Sequence, residues 1–302
     1  MAKFLQYLAA GVKPGEPEFL PALKELLPKD LQQDPGFWAW CEALSPNAVV
    51  HTSQVLADGW PTAPAFQETK IMTLPAGERL AIFMGLLPGL AQSYQAEAWP
   101  DDILRATLSD LWLRLQLFRE KEGAWGLTAD DGQWLLRHFT GHLFKLGVLQ
   151  FERTTWEFQV PYYDLTCQNE PIKSGTPILS VHIMEGEDLA PGKLDAAFSW
   201  AEAFFPKYFP QEAFQAFACY SWLLYPKLLE QLGPRSRIRA LGTYFEVVGV
   251  SQDPSMAKER LLLAAPAGKA GSSLQRLAKK KPEIMGVGLG YRPLKEEEDW
   301  QN

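Results

Sequence analysis

Leu179-Ser180-Val181-His182-Ile183 is a short β-like run that carries a histidine. Phe217-Ala218-Cys219-Tyr220-Ser221-Trp222-Leu223-Leu224 is a second apolar run, and it carries a thiol and a hydroxyl. Between them lie a polar loop, Met184-Glu185-Gly186-Glu187-Asp188, and an aromatic-rich segment whose spacing predicts a helix over 191–208. A β–loop–α–β order of this kind lets the two strands lie parallel and adjacent. His182 and Cys219 or Ser221 then belong near the same strand ends, where ligands of parallel strands gather.

Working outward towards the N-terminus, the helical period dominates 75–147. Apolar residues from Glu78 to Gln95 predict one helix, with Pro88 and Gly89 as the place for a kink. Pro100-Asp101-Asp102 is a strong helix start, because the acids meet the positive end of the dipole. Ile103, Leu104, Leu108, Leu111, Trp112, Leu115 and Phe118 then form a 3.6-residue stripe that Gly123 ends. Thr128 and Asp131 have the spacing of a capping box, and the following helix is expected over 132–146, closed by Gly147. Ahead of this region Glu18–Leu27 reads as helix, and Gly59-Trp60-Pro61 with Pro64 reads as irregular chain.

From Val148 the pattern becomes β-prone: Leu149, Phe151, Thr154, Thr155, Trp156, Phe158 and Val160 alternate in part. Beyond the opening stretch, Pro226–Leu232 predicts a short helix and Ile238–Val250 one or two strands. Met256–Leu263 fits either element. Ser273–Lys281 predicts a helix and Met285–Tyr291 a strand, and the acidic tail after Lys295 reads as loose chain. The fold class expected is α+β: a helical N-terminal domain over 1–147 and a mixed β-sheet domain with flanking helices over 148–302.

Composition narrows the function classes. A net charge of -7 argues against a general nucleic-acid binder. Cys41, Cys167 and Cys219 are too far apart for a zinc cluster and fit a reducing cytoplasm. No stretch reaches the length of a membrane helix. These features predict a cytoplasmic protein that engages neither nucleic acid nor membrane; they do not determine an oligomeric state.

Leu104-Arg105-Ala106-Thr107-Leu108-Ser109-Asp110, Gly123-Ala124-Trp125-Gly126-Leu127 and Leu143–Glu152 resemble the N-terminal module of a bacterial N-acyltransferase-like family. Val181-His182-Ile183, Phe209-Pro210, Cys219–Leu224, Ser236 and Ser273-Leu274-Gln275-Arg276 resemble its C-terminal module, which is related to the GNAT superfamily. The resemblance runs from about residue 75 to 291 in matching order. It implies a GNAT-like sheet, acetyl-CoA or another acyl-CoA as co-substrate, and a small-molecule or amine-bearing acceptor.

The candidate site residues follow from this. His182 suits a general base, its ordinary pKa of about 6.5 lying near neutrality; it also reads as a loop-fixing histidine. Glu152 is a base, an amine ligand or a structural ion-pair partner. Cys219 is either a nucleophile paired with a histidine or a core thiol. Ser221 is a polar ligand or proton donor. In period two Cys219 and Ser221 share one face of their strand, and Tyr220 and Trp222 the other. The loop and helix start, with Ile183, Gly186, Leu189, Gly192 and Lys193, read either as simple helix capping or as the place for the donor's phosphates, and Glu185, Glu187 and Asp188 add negative charge there. His138 and His142 have helical i,i+4 spacing, but Arg137 and Lys145 make a polar helix face the better reading than a metal site. Trp200, Phe204, Phe205, Tyr208 and Phe209 are expected as core beneath the sheet.

Overall fold

A computed structural model describes residues 6–7, 10–44, 70–158, 164–167, 171–263 and 272–294. Gly59-Trp60-Pro61, Pro64, Val160 and the tail after Lys295 lie outside the described residues. The chain divides into two compact units, Met1–Lys145 and Leu146–Asn302.

The first unit is built from helices: α1 (Phe19–Leu26), α2 (Lys29–Gln32), α3 (Pro35–Glu42), α4 (Lys70–Thr73), α5 (Ala76–Ala96), α6 (Asp101–Glu122) and α7 (Ala129–Phe139). Side chains of α5 are buried on nearly all sides from Leu80 to Leu90, so it is the central helix of the unit. α6 starts after Pro100 and ends at Gly123 in the left-handed region, with φ 68°. Thr128 caps α7 by accepting from the Asp131 N–H at 3.0 Å. Asp110 lies on the buried stripe of α6 and is 1% exposed. Its carboxylate accepts from Arg114 Nε at 2.8 Å, Trp134 Nε1 at 2.7 Å and His138 Nε2 at 3.1 Å, so the buried charge is well compensated.

α7 is shorter than its apolar pattern predicts. The Gly141 N–H donates to the His138 carbonyl at 3.5 Å and the His142 N–H to the Arg137 carbonyl at 3.0 Å, the bond pair of a Schellman ending. Gly141 occupies the left-handed position with φ 68°, a conformation glycine adopts without penalty. The helix thus ends at Phe139, eight residues before Gly147. His138 and His142 do not share a helix face, and Leu143–Leu146 is strand β1.

The other strands are β2 (Leu149–Thr155), β3 (Thr166–Cys167), β4 (Pro177–His182), β5 (Ala216–Ser221), β6 (Glu246–Ser251) and β7 (Val287–Pro293), in the sheet order β1-β2-β4-β5-β7-β6-β3. β4 and β5 are parallel, joined through helix α8 (Pro191–Tyr208), as the opening stretch predicts. β2–β4, β5–β7, β6–β7 and β3–β6 are antiparallel. After β5 a 3-10 turn (Trp222–Leu224) leads into α9 (Pro226–Gln231) and α10 (Arg237–Gly242). Arg237–Gly242 is helical rather than extended because Ser236 caps it, accepting from the Arg239 N–H. α11 (Ser255–Lys258) runs into a π turn, and α12 (Ser273–Lys280) opens with a capping box from Ser272 and Gln275. Among the described residues no helix is long and apolar enough to cross a membrane.

Register assigns the two faces of the sheet. Phe151 on β2 and Phe217 on β5 turn towards α8, where both rings meet Phe198, at 5.9 and 5.1 Å between centroids. Phe204 and Phe205 are buried with them, as expected of core aromatics, whereas Trp200 is 38% exposed and outside that core. On the opposite face Trp156 and Phe158 cover Ile178, Ala216, Ala218 and Leu289.

Gly288 on β7 tests the packing around β5. A methyl group there would overlap the backbone carbonyl of Leu224, which cannot yield as a side chain can. Gly288→Ala is expected to cost about 2 kcal/mol of stability, the usual penalty of overpacking. Urea unfolding gives the value, and a change below about 0.5 kcal/mol would contradict this packing.

Candidate active site at the ends of the parallel strands

The β4–β5 ladder holds three registered pairs, Ile178↔Ala216, Leu179↔Phe217 and Ser180↔Ala218. β4 continues to His182 and β5 to Ser221 beyond the last pair. The two parallel strands therefore part at their C-terminal ends. The Met184–Ala190 loop and the N-terminus of α8 follow directly.

β2 carries the second half of the site. In its antiparallel register with β4, Gln150 lies opposite His182 and Glu152 opposite Ser180. Glu152 and His182 are diagonal neighbours on one face, within reach of long side chains. His182 Nε2 lies 2.7 Å from Glu152 Oε2. The Glu152 side chain is 8% exposed and that of His182 27%, so a buried carboxylate holds an accessible imidazole. With Glu152 ionised, the Nε2–H donates to it, and the lone pair of the neutral ring is at Nδ1.

The same alternation separates the other two candidates from this pair. Cys219 and Ser221 share the Phe217 side of β5, and Ala218 and Tyr220 share the side of Ser180 and His182. A Cys219–His182 nucleophile pair is therefore corrected by the register. Cys219 is fully buried, and burial pushes its thiol up to about 12. It is a core thiol at neutral pH. Ser221 is also not a partner of His182: its hydroxyl accepts from the Leu223 N–H at 3.2 Å and caps the turn after β5. Arg153, on the α8 side of β2, pairs with Glu212 and lies over the Phe209 ring at 3.8 Å.

The loop assigned to the donor's phosphates has distinct local geometry. Gly186 is left-handed, with φ 84°, and neither Gly186 nor Gly192 has another atom within 4 Å of where a Cβ would stand. Ile183 is half-buried and Leu189 buried, which anchors both sides of the loop. Asp188 accepts from the Ala190 N–H at 3.2 Å and pairs with Lys193 at 2.9 Å and Arg237 at 2.6 Å. The Lys193 hydrogen bond, with help from Arg237, holds the Asp188 carboxyl below its ordinary range. Local spacing could not join Arg237 to this loop, because it lies 44 residues from Lys193 along the chain and reaches the loop only through α10.

The thiols give a direct check. Cys41 is 2% exposed and is likewise pushed up to about 12 by burial, whereas Cys167 is partly exposed. A thiol reagent at pH 8 is expected to label Cys167 alone in the folded chain and all three cysteines after unfolding. The raised thiol pKa values also set a pH trend. Above the ordinary value of 9.0 the unfolded state loses protons that the folded state keeps. Stability is therefore fully present below that value and falls as pH rises through it. Rapid labelling of Cys219 in the native state would contradict the burial.

Two family models match the chain. The N-acyltransferase N-terminal domain covers residues 20–141 and the GNAT-like C-terminal domain covers 143–283. A comparison with curated proteins finds no match. Solved structures share the fold. An acyltransferase mutant in complex with octanoyl-CoA aligns with a TM-score of 0.67 at 21% identity, over 97% of this chain and 95% of that one. An acyltransferase in complex with CoA and 10C-teicoplanin aligns with a TM-score of 0.66 at the same identity and coverage. An acyltransferase with decanoyl-CoA and teicoplanin aligns with a TM-score of 0.64, again at that identity and coverage. With its helical module followed by a mixed sheet whose parallel strands part beside α8, the chain belongs to the N-acyltransferase family that joins this N-terminal domain to a GNAT-like C-terminal domain.

Proposed function

We propose that the chain is an acyl-CoA-dependent N-acyltransferase, which moves an acyl group from a CoA thioester to an amine, with the reaction carried by residues 148–302. The observation that carries this reading is the His182–Glu152 pair, 2.7 Å apart where β4 and β5 separate. Membership of the family supports the activity. The related structures, which hold octanoyl-CoA, decanoyl-CoA, CoA and teicoplanin compounds, support a CoA thioester as donor and a small molecule as acceptor.

The donor fits the geometry chemically. Its pantetheine arm carries two amides in an extended chain, and parted strand ends offer backbone groups to such an arm. The diphosphate is assigned to Gly186, Gly192, Lys193 and the N-terminus of α8, flanked by Ile183 and Leu189, with Arg237 as a further cation. Asp188 ties Lys193 and Arg237 together, and the two cations exchange its carboxylate for phosphate oxygens when the donor binds. His182 takes the proton of the attacking amine, while Glu152 orients the ring and stabilises the imidazolium that forms. The amine forms the new C–N bond, the C–S bond breaks, and the thiolate leaves with CoA. This is catalysis by positioning, with no covalent enzyme intermediate.

Calorimetry with acetyl-CoA, octanoyl-CoA and decanoyl-CoA tests the donor; failure to bind all three would sink the transferase reading. CoA release in the presence of a panel of primary amines then identifies an acceptor. With that acceptor His182→Ala is expected to lower kcat by about 10²-fold or more while donor affinity holds. Glu152→Gln keeps the shape and removes the charge, so it should lower kcat less and move the lower limb of the pH–rate profile down. An unchanged profile would remove Glu152 from this positioning role.

A further inference from the structure

The chain is acidic overall, with 36 Asp and Glu against 29 Lys and Arg, yet residues 226–294 hold 12 Lys and Arg against 5 Asp and Glu. That is a net +7 in one stretch, which leaves -14 for the rest of the chain. The basic residues are gathered by tertiary contacts. Arg237 reaches the loop before α8 through Asp188. Arg239 donates to the Leu232 carbonyl at 2.9 Å, which ties α10 to the end of α9. Lys281 donates to Gln231 Oε1 at 2.5 Å, which ties the end of α12 to the same place. Lys193, Arg235, Arg237, Arg239 and Lys279–Lys281 thus form one exposed band from the mouth of the parted strands across α10 and α9 to α12. Glu185, Glu187 and Asp188 in the donor loop, Glu230 on α9 and Glu283 after α12 are acids along the same elements, and no ion pair involves Lys279 or Lys280 among the described residues.

The underside of α12 explains why its charges face outward. Leu274, Leu277 and Ala278 pack on Tyr225, Leu228, Ile284 and Met285, which follow β5 and precede β7. The lysine face is therefore fixed to the end of the sheet where the donor enters. A nucleotide diphosphate accounts for Lys193 and Arg237 but leaves the α12 lysines, on the far side of α9, without a role.

We propose that this band docks an acidic acyl carrier protein, which presents its acyl group on phosphopantetheine, so that the enzyme takes acyl groups from a carrier as well as from CoA. The inference rests on the acyl-transfer reading above. Both donors share the thioester and the pantetheine arm; they differ in what anchors the distal phosphate. The transfer step is the same: the C–N bond forms, the C–S bond breaks, and the thiolate stays on the carrier's pantetheine arm and takes up a proton. Surface charges arranged this way raise encounter rates and fix orientation, and salt weakens them.

The test uses the full chain and two probes, octanoyl-CoA and a bacterial acyl carrier protein of fatty-acid synthesis loaded with an octanoyl group. The carrier is expected to bind at low salt and weaken steeply as salt rises. The double variant Lys279→Glu/Lys280→Glu, on the exposed face and outside the donor loop, should weaken the carrier about tenfold or more while octanoyl-CoA stays within about twofold. Thermal unfolding of the variant verifies that it folds. No carrier binding at low salt, or equal binding by the variant, would overturn the proposal; so would tighter binding of double-stranded DNA or anionic vesicles than of the carrier. Failure to bind octanoyl-CoA is a separate result and counts against the transferase reading itself.

Discussion

The register of β4 between β2 and β5 is the constraint on which the rest of the sheet-bearing unit depends. Side chains alternate along a strand, so a slip of one residue would exchange every inward and outward group. In the observed register Glu152 and His182 fall diagonally on one face, and Phe151, Phe217 and Cys219 on the other. The aromatic cluster around Phe198 on α8 buries Phe151 and Phe217 in this register, and a slip of one residue would turn them to the other face. Hydrophobic packing on one side of the sheet therefore positions the polar pair on the other.

The two units treat buried carboxylates differently. Asp110 in the helical unit accepts from an arginine, a tryptophan and a histidine, and the whole set is part of the packing between α6 and α7. Such a charge is held in place by neighbours that leave it no chemistry to perform. Glu152 is comparably buried but grips a ring that solvent still reaches. A fixed carboxylate behind an accessible imidazole is the arrangement that a general base needs, and this is why the proposed chemistry is put at the parted strand ends.

Much of this was legible in the chain itself. The start of α6 at Pro100-Asp101-Asp102, its end at Gly123, the bounds of α8 and the parallel pairing of its flanking strands all follow from local signals. The end of α7 did not, because the apolar pattern continues through Leu143 and Leu146 and masks the Gly141 stop. Ile238 carried a β-like signal that Ser236, as a cap, overrode. Trp200 looks like core by type and is exposed by position. Asp110 could have been flagged by its place on an otherwise apolar stripe, since an acid there must find partners.

For the site, sequence determined the residue types and the order of elements: a histidine and a carboxylate on β-prone runs, a polar loop with a glycine, and a long helix after it. Period-two alternation even placed Cys219 and Ser221 on a common face. Which face of one strand meets which face of another is not a local property. It depends on register, and register is set by packing between residues tens of positions apart. Only the tertiary structure joined Glu152 to His182, turned Cys219 into core, and brought Arg237 to the loop at Asp188. The physical reason is the same in each case: local spacing fixes direction within an element, whereas burial of the shared core decides which elements meet.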